Sequence, residues 1–292
     1  MPGTLFVVST PIGNLEDITA RALRVLGEVA LVAAEDTRHT GRLLGHFRIR
    51  TPTTSFYEQN EREKLPRLLE RLRAGDSVAL VSDAGTPGIS DPGYRLVRAA
   101  VAHGIRVEAV PGPSAILAAL AASGLPTNAF TFLGFPPPRA QARDRWLADL
   151  AARRETAVFF EAPHRVRPTL EAAARVLGDR QVVVCRELTK LHEEILRGPL
   201  PSLLASLPPP RGEFTILVAP LEEAGGAAEL PAPDRLLAEF GQMTDEAGLD
   251  RRAAISRLAA RYGMPSREMY AAIEAARARL TPRSDPPLLD HS

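Results

Sequence analysis

The chain has 292 residues and 31.5 kDa, 45% of them hydrophobic, with a mean hydropathy of -0.07. That composition is soluble and globular, long enough for two domains of ordinary size and a small third. Lys+Arg 36 against Asp+Glu 35 leave a formal charge of +1, which excludes a polybasic nucleic-acid wrapper and a charge-driven membrane-surface protein. RNA binding would need local basic patches. A single cysteine, Cys185, excludes an internal disulfide and a cysteine-built zinc or iron–sulfur site. His39, His46, His103, His164 and His192 show no ligand spacing, so no metal is expected. The opening MPGTLFVVSTPIGN lacks the basic flank and small-residue cleavage pattern of a secretory signal. No run of about 18 apolar residues exists to span a bilayer. The expectation is a soluble, cytoplasmic protein with no membrane association.

Along the chain, Leu5–Ser9 is a short apolar run stopped by Thr10, Pro11 and Gly13, which predicts a buried strand. A helix over Ala20–Leu26, a strand over Val29–Ala34 and a short helix over Thr37–Leu44 follow. Leu65, Leu68, Leu69 and Leu72 recur at helical spacing in a helix ending at Gly75. Val78–Val81 is a strand, Tyr94–His103 a helix, Val107–Val110 a strand and Ser114–Ala122 a helix. Strands alternating with helices at these intervals predict an α/β domain over 1–124 with a mostly parallel sheet.

A second α/β domain is expected over 125–220. It reads as strand Phe130–Phe135, helix Arg139–Ala152, strand Ala157–Glu161, helix Thr169–Leu177 and strand Val182–Arg186. His192–Gly198 and Glu213–Ala219 add further strands of antiparallel type, a mixed α+β character. Residues 221–233 read as a linker, small and Gly/Pro-rich. Residues 234–280 read as a small helix-turn-helix-like domain: Ala254, Leu258 and Ala259, a break at Gly263–Pro265, then Met269, Tyr270 and Ile273. The Pro-rich tail 281–292 reads as disordered.

Ser82–Gly93, SDAGTPGISDPG, is the strongest local signal, a rigid Gly/Pro loop directly after a strand. Thr10–Leu15 (TPIGNL) and Pro111–Ala115 (PGPSA) follow two other strands. One such loop is ordinarily a tight turn; three at one edge of a sheet point to a ligand crevice. The first turn lacks the G-x-G-x-x-G of dinucleotide binding, and the chain has no phosphate loop, HExxH or G-x-S-x-G. An apolar, backbone-lined crevice with one acid, Asp83, suits a zwitterionic adenosyl compound better than a triphosphate.

TPIGNLEDIT, AEDTRHTGRLL, SDAGTPGISDPG, PGPSA, ASGLP, FLGFPP, FFEAPHR, RELTKLHEEILRG and GEF, in this order from Thr10 to Phe214, resemble one family. They are similar to the tetrapyrrole (corrin/porphyrin) methylase superfamily, and within it to the branch that methylates 16S ribosomal RNA. The resemblance implies the tetrapyrrole-methylase fold, two α/β domains with S-adenosyl-L-methionine in the cleft between them, and a homodimer. It implies 2'-O-methylation of cytidine 1402 in the small ribosomal subunit. Gly85, Thr86 and Pro87 match the family's glycine loop, Ser114 and Ala115 its Ser-Ala pair, and Pro11 its first-loop proline. Ala162 in FFEAPHR stands where this branch often has serine; a backbone contact there would survive, a hydroxyl contact would not.

Methyl transfer from a sulfonium to an alcohol oxygen is an in-line displacement that depends on alignment, and the weakly acidic 2'-hydroxyl gains from a nearby base or cation. Candidates are Lys190, Glu161 and Asp36, among polar residues that include His164, Arg165, Arg186 and Glu187. A Lys190–Glu pair fixing a strand end, and an Asp36–Arg38 pair at a helix start, are the structural readings beside them. Arg38, Arg139, Arg143, Arg165 and Arg186 are candidate RNA contacts, since arginine forks match phosphate geometry, although an arginine cluster is more often a solvated face. A macrocycle methyltransferase of the same fold, or a noncatalytic ribosome-binding protein, are the competing functions. No DNA partner is expected.

Overall fold

Short apolar runs, each stopped by a turn residue, build the first sheet of the computed structural model, which describes residues 2–207, 209–221, 230–246, 249–262 and 264–280. Its strands are β1 (Thr4–Val8), β2 (Leu31–Ala34), β3 (Thr53–Ser55), β4 (Val78–Val81) and β5 (Arg106–Val110). They pair in the order β3-β2-β4-β1-β5, all parallel. β4 is central and buried along its whole length, which is why its sequence VALV is continuous rather than alternating. The crossovers are α1 (Ala20–Glu28), α2 (Thr37–His46), α3 (Glu61–Arg73) and α4 (Tyr94–Ala102). Leu68, Leu72 and Leu96 of α3 and α4 pack with Leu5 and Leu80 on one face. Val25, Leu26 and Leu44 of α1 and α2 pack with Val8 and Val32 on the other.

The next helix, α5 (Ala115–Ser123), binds a different partner. Its Ile116, Ala119 and Leu120 pack on Val158, Val183 and Leu217 of the second sheet, together with Ile12 from the loop after β1. That sheet comprises β6 (Phe130–Phe132), β7 (Thr156–Glu161), β8 (Gln181–Arg186), β9 (Glu194–Pro199) and β10 (Phe214–Val218), ordered β6-β7-β10-β8-β9. The β6–β7 pair is parallel and the rest antiparallel. Helices α6 (Ala140–Ala151), α7 (Pro163–Leu177) and α8 (Leu200–Ala205) follow in this half, and Leu147, Leu170 and Leu203 pack with Phe159 and Ile216. β10 is buried on both faces, Ile216 toward these helices and Leu217 toward α5.

The predicted strand Phe130–Phe135 stops at Phe132, because Gly134 turns into the left-handed region (φ 65) ahead of the proline run. α7 starts at Pro163, well before the predicted Thr169: proline suits a first helical turn, and the helix accommodates Pro168 inside it. β3 and α8, three and six residues long, are too short for a periodic signal.

Glu222–Ser292 form a separate compact unit. Its described elements are α9 (Pro233–Gly241) running into a π-helical turn, α10 (Arg251–Arg261) and α11 (Ser266–Leu280). Leu236, Phe240, Leu258, Met269 and Ile273 form its core. Tyr270, grouped by sequence with Met269 and Ile273, is instead 51% exposed, because the buried stripe of α11 runs through Met269, Ile273 and Ala276 and leaves Tyr270 one position off it. Residues 222–229 of the expected linker, Gly263 and the expected disordered tail 281–292 lie outside the described residues.

Candidate active site

A parallel sheet delivers the carboxyl ends of its strands to one edge, and the three Gly/Pro loops meet there. Thr10 after β1 and Gly85 after β4 exchange backbone hydrogen bonds of 2.9 and 3.0 Å, an isolated antiparallel bridge. The Thr10 hydroxyl donates to the Ser82 carbonyl at 3.0 Å, and the hydroxyls of Ser9 and Thr86 lie 2.8 Å apart. Gly85 takes φ 78, and a side chain there would point toward Ile12 and the Pro113 carbonyl of the third loop. The loop after β5 packs closely on β1's end: a Cβ at Gly112 would stand 3.0 Å from that of Ser9. Pro11, Gly85 and Pro87 are buried in this lattice, with Asp83 and Thr86 half-buried. Ser114 caps α5, accepting from the Leu117 amide at 3.4 Å, and Ala115 packs beside Ile12 and Ala84.

Acids gather at this edge. The Asp36 amide donates to Asp83 Oδ1 at 3.1 Å and the Asp83 amide to Glu35 Oε2 at 3.3 Å, tying β2's end to β4's. Burial pushes the Glu35 carboxyl up, with the charges of Asp83 and Asp36 adding to it against the hydrogen bond from the Asp83 amide. Burial also pushes Asp91, later in the glycine loop, up to about 6; the Glu35 and Asp83 charges reinforce it and a Ser82 hydroxyl bond opposes it. Asp36 behaves differently. It caps α2, and the bonds from the Arg38 guanidinium and amide hold it down at about 2.

From the second half, Glu161 is enclosed at the end of β7. The Ala162 amide donates to its Oε1 at 2.8 Å and the Thr169 hydroxyl to its Oε2 at 2.6 Å, with Arg165 Nε 3.3 Å from Oε1. Arg165 also donates to the Pro136 carbonyl at 2.6 Å. Arg186 is engaged as well, with Glu194 Oε2 at 2.6 Å and the Arg211 carbonyl at 2.9 Å. Arg38 and Arg139 are exposed and Arg143 is half-buried. Ala162 occupies the N-cap of α7 with no side chain to cap it.

Lys190 lies in the loop between β8 and β9, and its Nζ donates to Glu187 Oε1 at 2.8 Å and Glu213 Oε2 at 2.9 Å. Burial pulls the ammonium pKa down, but the two carboxylates outweigh it and the pKa is raised; Glu187 is lowered in turn, foremost by its bond from Lys190. Lys190 lines a groove with Gly13, Asn14, Glu16, His46 and Leu191, so it stands where the first loop meets the second half. Sequence reasoning names Lys190 among the candidates, with a Lys–Glu pair as its structural reading, and that pair is present. It missed Glu213 and Asp91, since Glu213 reaches Lys190 only because β10 pairs with β8.

The family model for Tetrapyrrole (Corrin/Porphyrin) Methylases matches residues 4–204. The chain is 51% identical to ribosomal RNA small subunit methyltransferase I of Pseudomonas aeruginosa, covering 82% of this chain and 88% of that one. With the same enzyme of Halalkalibacterium halodurans the identity is 42%, over 92% and 93%. Among solved structures, diphthine synthase superposes with a TM-score of 0.61 at 17% identity, over 74% of this chain and 90% of that one. A Thermus thermophilus uroporphyrin-III C-methyl transferase complexed with S-adenosylhomocysteine gives 0.52 at 22%, over 74% and 97%. These two show the shared fold, while the identity to the first pair over most of both lengths shows that the chain belongs to the ribosomal RNA small subunit methyltransferase I branch of the tetrapyrrole methylase family.

Proposed function

We propose that this protein transfers a methyl group from S-adenosyl-L-methionine to the ribose 2'-oxygen of cytidine 1402 in 16S ribosomal RNA, acting as a homodimer on the small ribosomal subunit in the cytoplasm. The observation that carries the reading is the crevice edge, where the Thr10–Gly85 bridge locks two loops together and Gly112 packs the third against Ser9, beside Glu35, Asp83 and Asp91. Carboxylates held against burial and mutual repulsion favour a positively charged ligand, and S-adenosylmethionine carries a sulfonium and an ammonium. When bound, it supplies the electrophilic methyl. Pro11, Asp83, Gly85, Thr86, Pro87, Ser114, Ala115 and Ala162 are the residues proposed to hold it.

For the chemistry, alignment of the 2'-oxygen is the main demand. Lys190, kept protonated by its two carboxylates, serves as a fixed cation toward the hydroxyl as negative charge develops, not as a base. Glu161 and Asp36 support the site: Glu161 fixes Arg165 and the start of α7, and Asp36 fixes Arg38 and the start of α2. Arg38, Arg139 and Arg143 are the proposed phosphate contacts, with Arg165 and Arg186 holding the surfaces around them. Arg257 and Arg261 line an open hollow of the C-terminal unit and offer further phosphate contacts. Such a patch suits a polyanionic RNA better than a small corrin or porphyrin.

The test is incubation with labelled S-adenosylmethionine and, separately, undermethylated small subunits, naked 16S RNA and a precorrin, followed by mass spectrometry of digested RNA. Label on a ribose of the small subunit supports the reading; a base methyl or a labelled precorrin overturns it. Gly85→Val and Ser114→Leu are expected to abolish cofactor binding by calorimetry with helical content intact.

A further inference from the structure

The loop that carries Lys190 is held in an unfavourable backbone shape. Glu187 (φ 52) and Thr189 (φ 66) both lie in the left-handed region, which disfavours residues other than glycine. Such a shape persists where the surroundings over-determine it, and such residues cluster at working sites. Here the surroundings do so. The Glu187 amide donates to the Glu213 carbonyl and the Glu213 amide to Glu187 Oε1, each at 3.0 Å. The Thr189 amide donates to Glu193 Oε2 at 2.6 Å. Leu188 is buried in the cluster that contains Ile12, Ala84 and Ala115, one residue from each of the three crevice loops.

Two glycines complete the fit. A Cβ at Gly13 would stand 2.3 Å from Lys190 Cγ, and one at Gly212 would stand 2.4 Å from the Glu187 carboxyl. The lysine stem therefore lies across the bare backbone of the first crevice loop, and the Glu187 carboxylate lies across the bare backbone of Gly212. An ordinary surface ion pair needs neither glycine nor left-handed backbone.

We infer that Glu187, with Glu213, is a positioning residue for Lys190, fixing its ammonium at the first crevice loop, and that Gly13 and Gly212 are the seats that permit this. The inference rests on the proposed role of Lys190 in methyl transfer. As the hydroxyl proton is released to water the 2'-oxygen gains negative charge; it then bonds to the methyl carbon while the sulfur–carbon bond breaks and the sulfur keeps the bonding pair. A cation already fixed beside the oxygen meets the developing charge without having to reorganise. Glu187 and Glu213 hold the ammonium in place and protonated; Arg186, His192, Glu193, Glu16 and His46 are the other charged or titratable groups around the loop and groove.

The experiment measures kcat, both KM values and the alkaline limb of the pH–rate profile on undermethylated small subunits, for the parent chain and for Lys190→Ala, Glu187→Gln, Glu213→Gln and Gly13→Ala. Lys190→Ala is expected to lower kcat by about tenfold or more with cofactor affinity unchanged. Glu187→Gln is expected to lower kcat by about tenfold at unchanged KM, and to move the alkaline limb to lower pH, because one of the two charges that keep Lys190 protonated is gone. Gly13→Ala should lower kcat in the same way by displacing the stem. Parental kcat in Lys190→Ala overturns the role given to Lys190, and the inference with it. An impaired Lys190→Ala beside a Glu187→Gln with parental kcat and an unmoved limb overturns the positioning inference alone. Should Glu187→Gln not fold, Glu213→Gln decides: its side chain is 70% exposed, and an unchanged kcat and limb there overturn the inference equally.

Discussion

Asp91 and Glu161 are both carboxylates near the proposed site, and their surroundings differ: Asp91 is crowded by other acids, Glu161 by hydrogen-bond donors. Asp91 has its folded value pushed above its unfolded one, from 3.8 to about 6, first by burial and then by the charge of Glu35. The folded chain thus keeps a proton that the unfolded chain releases, and stability falls as pH rises through that window. Asp91→Asn should therefore raise the melting temperature at pH 7.5 and leave it nearly unchanged at pH 4. The gain is on the order of 1 kcal/mol once solvent screening at this partly exposed group is allowed for. Thermal denaturation at the two pH values checks it; an equal gain at both would mean that charge is not the cause. Glu161 is enclosed by partners instead: a hydroxyl, an amide and a guanidinium surround it. Glu161→Ala leaves Arg165 facing a void and should cost about 3 kcal/mol of stability in denaturant unfolding. Loss of activity without loss of stability would instead make Glu161 a participant in the chemistry.

Among the elements, α7 starts without a side-chain cap. Ala162 has extended backbone (φ -71, ψ 145) suited to an N-cap but offers no acceptor, and Pro163 follows it. Ala162→Ser places a hydroxyl where the first-turn amides need one, and should stabilise the chain by about 1 kcal/mol in chemical denaturation. The same helix shows what could be read before the structure. Apolar runs such as VALV and the Leu65–Leu72 stripe state their element types through periodicity, and the Gly/Pro loops after β1, β4 and β5 state their edge, because parallel strands share one. Pairings across chain distance are a different matter. Glu213 meets Lys190 through the β8–β10 register, and Asp91 meets Glu35 through the β2–β4 register; a linear sequence carries no local mark of either. Even α7's start, with Pro163, His164, Arg165 and Pro168 in its first turns, hides behind residues that elsewhere end helices.

At the scale of the molecule, Met1–Leu221 and Glu222–Ser292 each enclose a core of their own. The first holds both sheets and every residue proposed for the cofactor crevice; the second buries Leu236, Phe240, Leu258, Met269 and Ile273 among its own helices. A chain ending at Leu221 should accordingly fold cooperatively and bind S-adenosylmethionine with parental affinity. The second unit pairs part of its charge internally, Arg251 with Glu274 and Arg261 with Glu239, and leaves Arg252, Arg257 and Arg267 exposed. If those arginines meet RNA phosphates, the shortened chain should bind the small subunit more weakly, and the slope of log affinity against log salt should fall by about 0.7–0.9 for each contact removed. Filter binding at several salt concentrations, beside calorimetry with the cofactor, measures both. Unchanged affinity and slope would make the second unit irrelevant to RNA. Precipitation or loss of cofactor binding would mean that it supports the α/β unit instead.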